Sequence, residues 1–192
     1  MSVMDEAPEV APESATAWGE WLREHHASAA GVWLRVDDRS APGTDALSYE
    51  NAVLEALCWG WIDAQAKVAA DGASLLWFSR RRPRSPWAAT NKRRIGLLEA
   101  AGRMQASGRA LVEAARADGS WTVLDGPEAG IEPPDLAAAL DAVPQARQHW
   151  ATFPPSARKR GLTQVALASR PETRARRIEK LVADAAADVR PS

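Results

Sequence analysis

A cluster of arginines with one asparagine is the part of the sequence best suited to binding chemistry. Three of its members fall within the segment FSRRRPRSPW (residues 78–87), and the whole set is Arg81, Arg82, Arg84, Asn91 and Arg94. A guanidinium group donates paired hydrogen bonds to a carboxylate or a phosphate. Ser85 followed by proline predicts the N-cap of a helix, and helix N-termini attract anions. We therefore predict a site, including Ser85, for an anionic small molecule or protein partner.

The same arginines could instead form ion pairs inside the protein. Acidic residues at Glu55, Asp63 and Glu99 lie on the neighbouring predicted elements. Pairs with them would attach the predicted hairpin to the following helix. The sequence leaves both interpretations open.

Two tryptophans and a carboxylate precede this cluster. The alternation of a strand places Trp59, Trp61 and Asp63 on one side, where aromatic walls beside a carboxylate could bind a ring-bearing or cationic ligand. The alternative is that the tryptophans fill the core and Asp63 pairs with an arginine. If the protein is an enzyme for a phosphate- or carboxylate-bearing substrate, Asp63 is the candidate acid or base, with Arg81 and Arg84 holding the anion.

Other residues exclude several classes of site. Cys58 is the single cysteine, so neither an intrachain disulfide nor a cysteine-built zinc site can form. The three histidines are too few and too scattered for a metal triad. No P-loop, G-x-G-x-x-G, G-x-S-x-G or H-E-x-x-H motif occurs. We expect neither a metal nor a cofactor, and no motif names a reaction.

The charges of the chain are segregated along its length. Residues 1–79 carry 4 basic and 13 acidic side chains, whereas residues 80–109 carry 9 basic and 1 acidic. A second basic block, around residues 158–177, could follow a nucleic-acid backbone together with the first. The pI of 6.3 favours neutralisation within the protein, because nucleic-acid-binding domains are usually strongly basic.

Hydrophobic periodicity predicts the elements that must position these residues. We expect a helix from Ser14 or Thr16, a strand over 31–36, a helix capped by Ser48 and a hairpin turning at Asp71–Gly72. Helices should follow from Ser85 to Gly102 and over 107–118, and residues 121–124 should be extended. Prolines then introduce four predicted helices between residues 135 and 187.

The predicted architecture is α+β, mostly helical, with one small antiparallel sheet made of the hairpin and a short strand. The predicted organisation is a disordered tail over 1–13, an α+β core over 14–125, a connection over 126–134, and a helical region over 135–187 packed on the core. No apolar run approaches the roughly 18 residues that a bilayer requires, and the acidic start does not resemble a signal peptide. We expect a cytoplasmic protein without membrane insertion, of unknown oligomeric state.

Four sequence blocks resemble the YdeI/OmpD-associated family of bacterial proteins, also labelled bacteriocin-protection proteins. The blocks are ALCWGWID (56–63), FSRRRPRSPWAATNKRR (78–94), GRMQASG (102–108) with the A-x-x-D-G-x-W pattern at 115–121, and FPPSA (153–157) with TRARRI (173–178). The resemblance covers about residues 16–185. It implies an association with stress or toxin resistance and no established reaction.

Overall fold

The computed structural model describes residues 4–36 and 47–191, and its architecture is α+β as predicted. The chain divides into two compact units. The N-terminal unit is Met1–Ser85 with Thr90–Asp118, and the C-terminal unit is Pro86–Ala89 with Gly119–Ser192. Residues 1–3 of the predicted tail lie outside the described residues.

The sheet of the N-terminal unit has strands in the order β1-β2-β4-β3. The strands are β1 (Glu9–Val10), β2 (Val32–Val36), β3 (Trp61–Val68) and β4 (Ser74–Arg80). The pairs β2–β4 and β3–β4 are antiparallel as expected, but β1 pairs with β2 in parallel, so the sheet is mixed.

Strand β1 lies inside the segment that we expected to be a disordered tail over 1–13. Glu9 and Val10 pair with Trp33 and Leu34. The Arg35 guanidinium bonds the Glu9 carboxylate at 2.8 Å. Without β1, the backbone N–H and C=O groups at the outer edge of β2 would be unpaired. Two residues can pair with this edge even when their own sequence does not favour a strand.

Both faces of the sheet are covered, which explains the unbroken apolar run of β4. Trp77 packs with Trp33 and Leu75 on one face. Phe78 packs against Trp18 from the first helix, with ring centroids 5.6 Å apart, on the other. The predicted Asp71–Gly72 turn is present between β3 and β4, with Gly72 at φ +85°.

The helices of the N-terminal half are α1 (Ala15–His25), α2 (Tyr49–Cys58), α3 (Ala89–Ala100) and α4 (Ala106–Asp118). Ser48 caps α2 as predicted, and Ser14 caps α1, which begins within the predicted range; each side chain accepts a backbone N–H. The predicted start of α3 at Ser85 is wrong. The Ser85 hydroxyl donates to the carbonyl of Arg82 at 2.8 Å instead of accepting from the next turn.

The C-terminal unit contains the helices α5 (Asp125–Glu128), α6 (Pro134–Asp141), α7 (Pro144–Thr152), α8 (Pro155–Ala166) and α9 (Pro171–Ala186). Proline opens the last four helices, as predicted. The extended segment predicted over 121–124 is wrong: these residues form turns, and Trp121 packs against Trp87 with centroids 5.0 Å apart. The predicted connection over 126–134 begins inside α5, where Pro127 is buried.

Within residues 4–36 and 47–191, no helix combines the length and the apolar character needed to cross a bilayer.

Candidate functional site

The candidate site is the arginine loop, defined as residues 81–84, which follows Arg80 at the end of β4. The backbone N–H of Arg81 donates to the carbonyl of Gly60 at 3.0 Å, so the sheet fixes the start of the loop. The carbonyl of Arg82 accepts from both the backbone N–H and the hydroxyl of Ser85, at 3.2 and 2.8 Å. Arg84 adopts φ +59°, a left-handed conformation that is uncommon for residues other than glycine. Ser85 therefore closes the loop.

Arg81 faces inward, in contrast to the expectation that it binds a ligand. Its residue exposure is 8%, and its Nη2 atom lies 3.5 Å from the carbonyl oxygen of Ser85. Burial lowers the pKa of Arg81 to about 10, because desolvation disfavours the charged form. Burial removes Arg81 from the residues that a ligand in solution could readily contact.

The other arginines at this end of the sheet face solvent. Arg80, Arg82 and Arg84 are exposed, and no carboxylate among the described residues lies within ion-pair distance of them. Several other arginines of the same unit have carboxylate partners, as in the pairs Arg94–Glu50, Arg103–Glu55 and Arg116–Glu99, whereas Arg93 and Arg109 form no ion pair with a described residue. The exposed arginines therefore carry positive charge that no side chain within residues 4–36 and 47–191 neutralises in an ion pair.

A second cluster forms around Asp63, which is half-buried on β3. The hydroxyl of Tyr49 donates to Asp63 Oδ2 at 3.0 Å, and the Arg94 guanidinium lies 5.9 Å from the Tyr49 ring centroid. Burial, followed by the charge of Asp63, raises the pKa of Tyr49. The sequence analysis missed Tyr49. Its place directly after the N-cap Ser48, as the single tyrosine of the chain, was the available signal.

Arg94 is already engaged in this cluster. Its Nε atom donates to Glu50 Oε1 at 2.9 Å, its Nη2 donates to the other oxygen of that carboxylate, and its Nη1 donates to Asn91 Oδ1 at 2.8 Å. These bonds to Glu50 raise the pKa of Arg94. The structure thus brings Asn91 and Arg94 together on α3, where Arg94 also forms an ion pair with Glu50 of α2. This outcome matches the internal-pairing alternative, with Glu50 in place of the expected acids.

The two tryptophans of the predicted ligand wall have different environments. Trp61 is fully buried, and its Nε1 donates to the carbonyl of His26 at 3.1 Å. Trp59 is half-buried with its ring 4.5 Å from the His26 ring, and its carbonyl accepts from Ser107 Oγ at 3.0 Å. Trp61 fits the core alternative.

The N-terminus of α3 already has a carboxylate at its first residue. The N–H of Ala89 donates to Glu128 Oε2 at 2.9 Å. A negative group at this position interacts favourably with the helix dipole. Glu128 thus already supplies the negative group that this helix N-terminus was expected to attract.

Cys58 is the single thiol of the chain, and histidine, cysteine and acidic side chains are the possible metal ligands. Burial raises the pKa of the Cys58 thiol to about 11, which is unfavourable for a nucleophile at neutral pH. Among the described residues, no group of histidine, cysteine or acidic side chains is arranged to hold a metal ion.

Most cations of the C-terminal basic block contact other groups of the protein. Arg174 binds both oxygens of Asp135, at 2.6 and 2.8 Å, and Lys159 lies 3.4 Å from Glu128. Arg160 and Arg177 donate to backbone carbonyls. These contacts reduce the charge that the block could offer to a nucleic-acid backbone.

Comparison with family models divides the chain into two parts. A model described as "Domain of unknown function (DUF8412)" matches residues 10–111, which is more than half of the chain. The chain belongs to this family. A second model, described as "Bacteriocin-protection, YdeI or OmpD-Associated", matches residues 130–188. The YdeI/OmpD-associated domain is therefore present, which confirms the predicted resemblance.

The two matches assign the sequence blocks to different families. The blocks at 56–63, 78–94 and 102–108, with the arginine loop among them, fall in the stretch matched by the model of unknown function. The block at 153–178 falls in the YdeI/OmpD-associated stretch. No curated protein and no solved structure matches the chain.

Proposed function

We propose that the protein is a non-catalytic binding protein in which the arginine loop, together with Arg80, binds an anionic small molecule. The observation that carries this proposal is the contrast between Arg80, Arg82 and Arg84, which are exposed without a carboxylate partner among the described residues, and Arg94, which Glu50 engages at both oxygens. Arginines two residues apart carry like charges that repel one another when they approach, and an anion bound among them would offset this repulsion. Phosphates and carboxylates are the groups that guanidinium forks bind best.

The backbone of the loop supports the same proposal. Arg84 occupies a left-handed conformation at φ +59°, and such residues persist when the surrounding structure holds them. Here the two bonds from Ser85 to the Arg82 carbonyl hold the turn. A fixed turn reduces the entropy that ordering the arginines around an anion would cost.

Binding without catalysis is the simpler role for the residues present. Asp63 is the candidate acid or base of the enzyme alternative, and the Tyr49 hydroxyl donates to its carboxylate. Arg81, which would hold the substrate in that alternative, is buried. The bacteriocin-protection association belongs to the family matched at residues 130–188, and a stress-related role for this chain is part of the proposal.

Calorimetry and thermal-shift titrations with inorganic phosphate, sulfate and adenosine monophosphate test the proposal. A ligand that binds only the native state adds RT ln(1 + [L]/Kd) to its stability, so we expect a saturable rise in melting temperature. The double variant Arg82→Ala/Arg84→Ala should abolish this rise. Arg176→Ala removes another exposed arginine and should leave the rise intact.

Three outcomes would overturn the proposal. The arginine loop is not the site if Arg176→Ala abolishes anion binding and the loop variant does not. Tight binding to DNA or RNA that weakens steeply with salt would support the nucleic-acid hypothesis, because counterion release dominates such binding. An acidic protein partner would bind through the loop without any response to the small anions.

A further inference from the structure

A cavity of about 400 Å³ lies within the C-terminal unit. It is lined by residues of α5 and the segment after it, by Trp150 near the C-terminal end of α7, and by residues of α8 between Pro155 and Leu162. This volume falls within the range of small-molecule sites. Its polar lining includes Ser156, Arg158 and Lys159 from α8, with Glu128 and Glu132 among the other lining residues. All lining residues belong to the C-terminal unit, so the cavity is separate from the arginine loop.

The two carboxylates of the cavity already have hydrogen-bond donors. Glu132 accepts from the Trp150 indole and from Arg147, each at 2.7 Å. Glu128 accepts from the N–H of Ala89 at 2.9 Å and lies 3.4 Å from Lys159 Nζ. Neither acid therefore requires a cationic ligand for its neutralisation.

Arg158 differs from these lining residues. Its Nε atom is buried and has no hydrogen-bond acceptor among the described residues. No carboxylate in the part of the chain that the structure describes forms an ion pair with it. A buried donor without an acceptor is unfavourable, so the environment of Arg158 is not satisfied by the protein alone. Arg158 also lines the cavity, so an anion bound there would lie beside its guanidinium charge. The cavity thus carries one positive charge without a partner.

The rest of the lining limits the ligand further. Pro127, Ala129 and Leu162 contribute apolar surface, and Trp150 contributes an aromatic ring. A doubly charged anion would meet repulsion from Glu128 and Glu132 in the same cavity. One negative charge on an apolar body fits these groups better than an inorganic dianion.

We propose that this cavity is a second binding site, specific for a small monocarboxylate with an apolar or aromatic body, and that Arg158 binds its carboxylate. Ser156 lies in the first turn of α8, which has no side-chain cap, and it lines the same cavity. It provides a further donor near the carboxylate. The site goes beyond the proposed function, since it lies in the other unit and selects an anion with an apolar body.

The test is a titration of the full chain with benzoate, followed by the indole N–H signals in ¹⁵N–¹H NMR spectra and by calorimetry. Trp150 lines the cavity and donates to Glu132, so its indole signal should shift saturably. Benzamide has the same shape without the charge and should bind at least ten times more weakly. Inorganic phosphate should leave the Trp150 signal unchanged.

Variants separate this site from the arginine loop. Arg158→Gln keeps much of the side-chain length without the charge and should weaken benzoate binding at least tenfold, whereas Arg176→Gln serves as the matched control. Ala129→Leu places bulk at an exposed position of the lining and should also reduce binding while leaving every polar group in place. It keeps the test decisive if Arg158→Gln does not fold.

Specific results would overturn the proposal. Unchanged benzoate affinity in a folded Arg158→Gln variant, or in Ala129→Leu when Arg158→Gln does not fold, excludes the site. Equal binding of benzamide excludes charge recognition. The variant Arg82→Ala/Arg84→Ala should bind benzoate normally, so its failure to bind phosphate would bear on the arginine loop alone.

Discussion

Two neighbouring regions of the N-terminal unit differ sharply in environment, although Arg81 of one and Arg82 of the other are adjacent in sequence. The inner region, at the end of the hairpin, contains Trp61 and Arg81, which are 0% and 8% exposed. The outer region, one residue further along the chain, contains the exposed Arg82 and Arg84. Residue type therefore does not decide whether an arginine is available for binding. The direction of the backbone as it leaves β4 decides it.

Carboxylates of the N-terminal unit form ion pairs with arginines outside the arginine loop. Glu50, Glu55 and Glu99 each pair with an arginine that follows the loop in sequence, namely Arg94, Arg103 or Arg116. The acidic and basic segments of the N-terminal unit thus neutralise each other in part, as the near-neutral total charge suggests. The exposed arginines of the loop remain outside this neutralisation.

The largest effect should come from the inner region. Trp61→Ala removes a fully buried ring that packs edge-on against Trp21, with centroids 5.9 Å apart, and an indole bonded to the His26 carbonyl. We expect a loss of about 3–5 kcal/mol in the free energy of unfolding, measured by chemical denaturation. A loss below about 1 kcal/mol would place Trp61 in a ligand wall instead of the core.

Thiol labelling compares the two regions chemically. Cys58 is 2% exposed, and its pKa is raised to about 11. At pH 8 its reaction with iodoacetamide should be more than about a hundredfold slower than that of a cysteine introduced as Arg84→Cys in a Cys58→Ala background, because the thiolate is the reactive form and an exposed thiol has a pKa near 8.5. Labelling would be measured by mass spectrometry. Similar rates at the two positions would contradict the burial of Cys58 and the exposure of Arg84.

The raised pKa of Cys58 also predicts a pH dependence. The folded state favours the neutral thiol, so its contribution to stability is complete below the unfolded pKa near 8.5 and is lost as pH rises through about 11. The free energy of unfolding should therefore decrease over this range. The decrease should be smaller in Cys58→Ala, which serves as the control.

The paired arginine should have an intermediate effect. Arg94→Ala removes the bidentate pair with Glu50 and the bond to Asn91, and its side chain is 18% exposed. We expect a loss of about 1 kcal/mol, since the Glu50 side chain is 54% exposed and water replaces part of the interaction. Glu50→Gln should cost a similar amount, and the double variant should cost less than the sum of the two.

The smallest effect on stability should come from the outer region. Arg82→Ala should change the free energy of unfolding by less than about 0.5 kcal/mol, because the side chain is exposed and makes no ion pair with a described residue. A larger loss, comparable with that of Arg94→Ala, would show that Arg82 is structural. Arg82→Ala should also weaken phosphate binding. This result would distinguish a ligand-binding role of Arg82 from a structural one.

Local chemistry was sufficient for many elements of the fold. Ser14 and Ser48 cap helices because their side chains accept N–H groups only three residues away. Asp71 and Gly72 form the hairpin turn, and prolines open the helices from α6 to α9. Each of these features depends on a few consecutive residues, so the sequence contains the necessary information.

A competing local hydrogen bond accounts for one of the predictions that failed, and long-range contacts account for two others. Ser85 has the sequence signature of an N-cap, but its hydroxyl is bonded to the Arg82 carbonyl. β1 exists because an open edge of β2 receives it, and the turns at residues 121–124 accompany the packing of Trp121 on Trp87. No window of a few residues includes both partners of the last two contacts.

The candidate site shows the same division. The sequence by itself determined that arginines concentrate after β4 and that no motif for a known reaction is present. Only the tertiary structure decided that Arg81 is buried, that Glu50 engages Arg94, and that Arg82 and Arg84 remain exposed. The physical reason is that residue types determine which hydrogen bonds and ion pairs are possible, whereas the packing of distant elements determines which of them form.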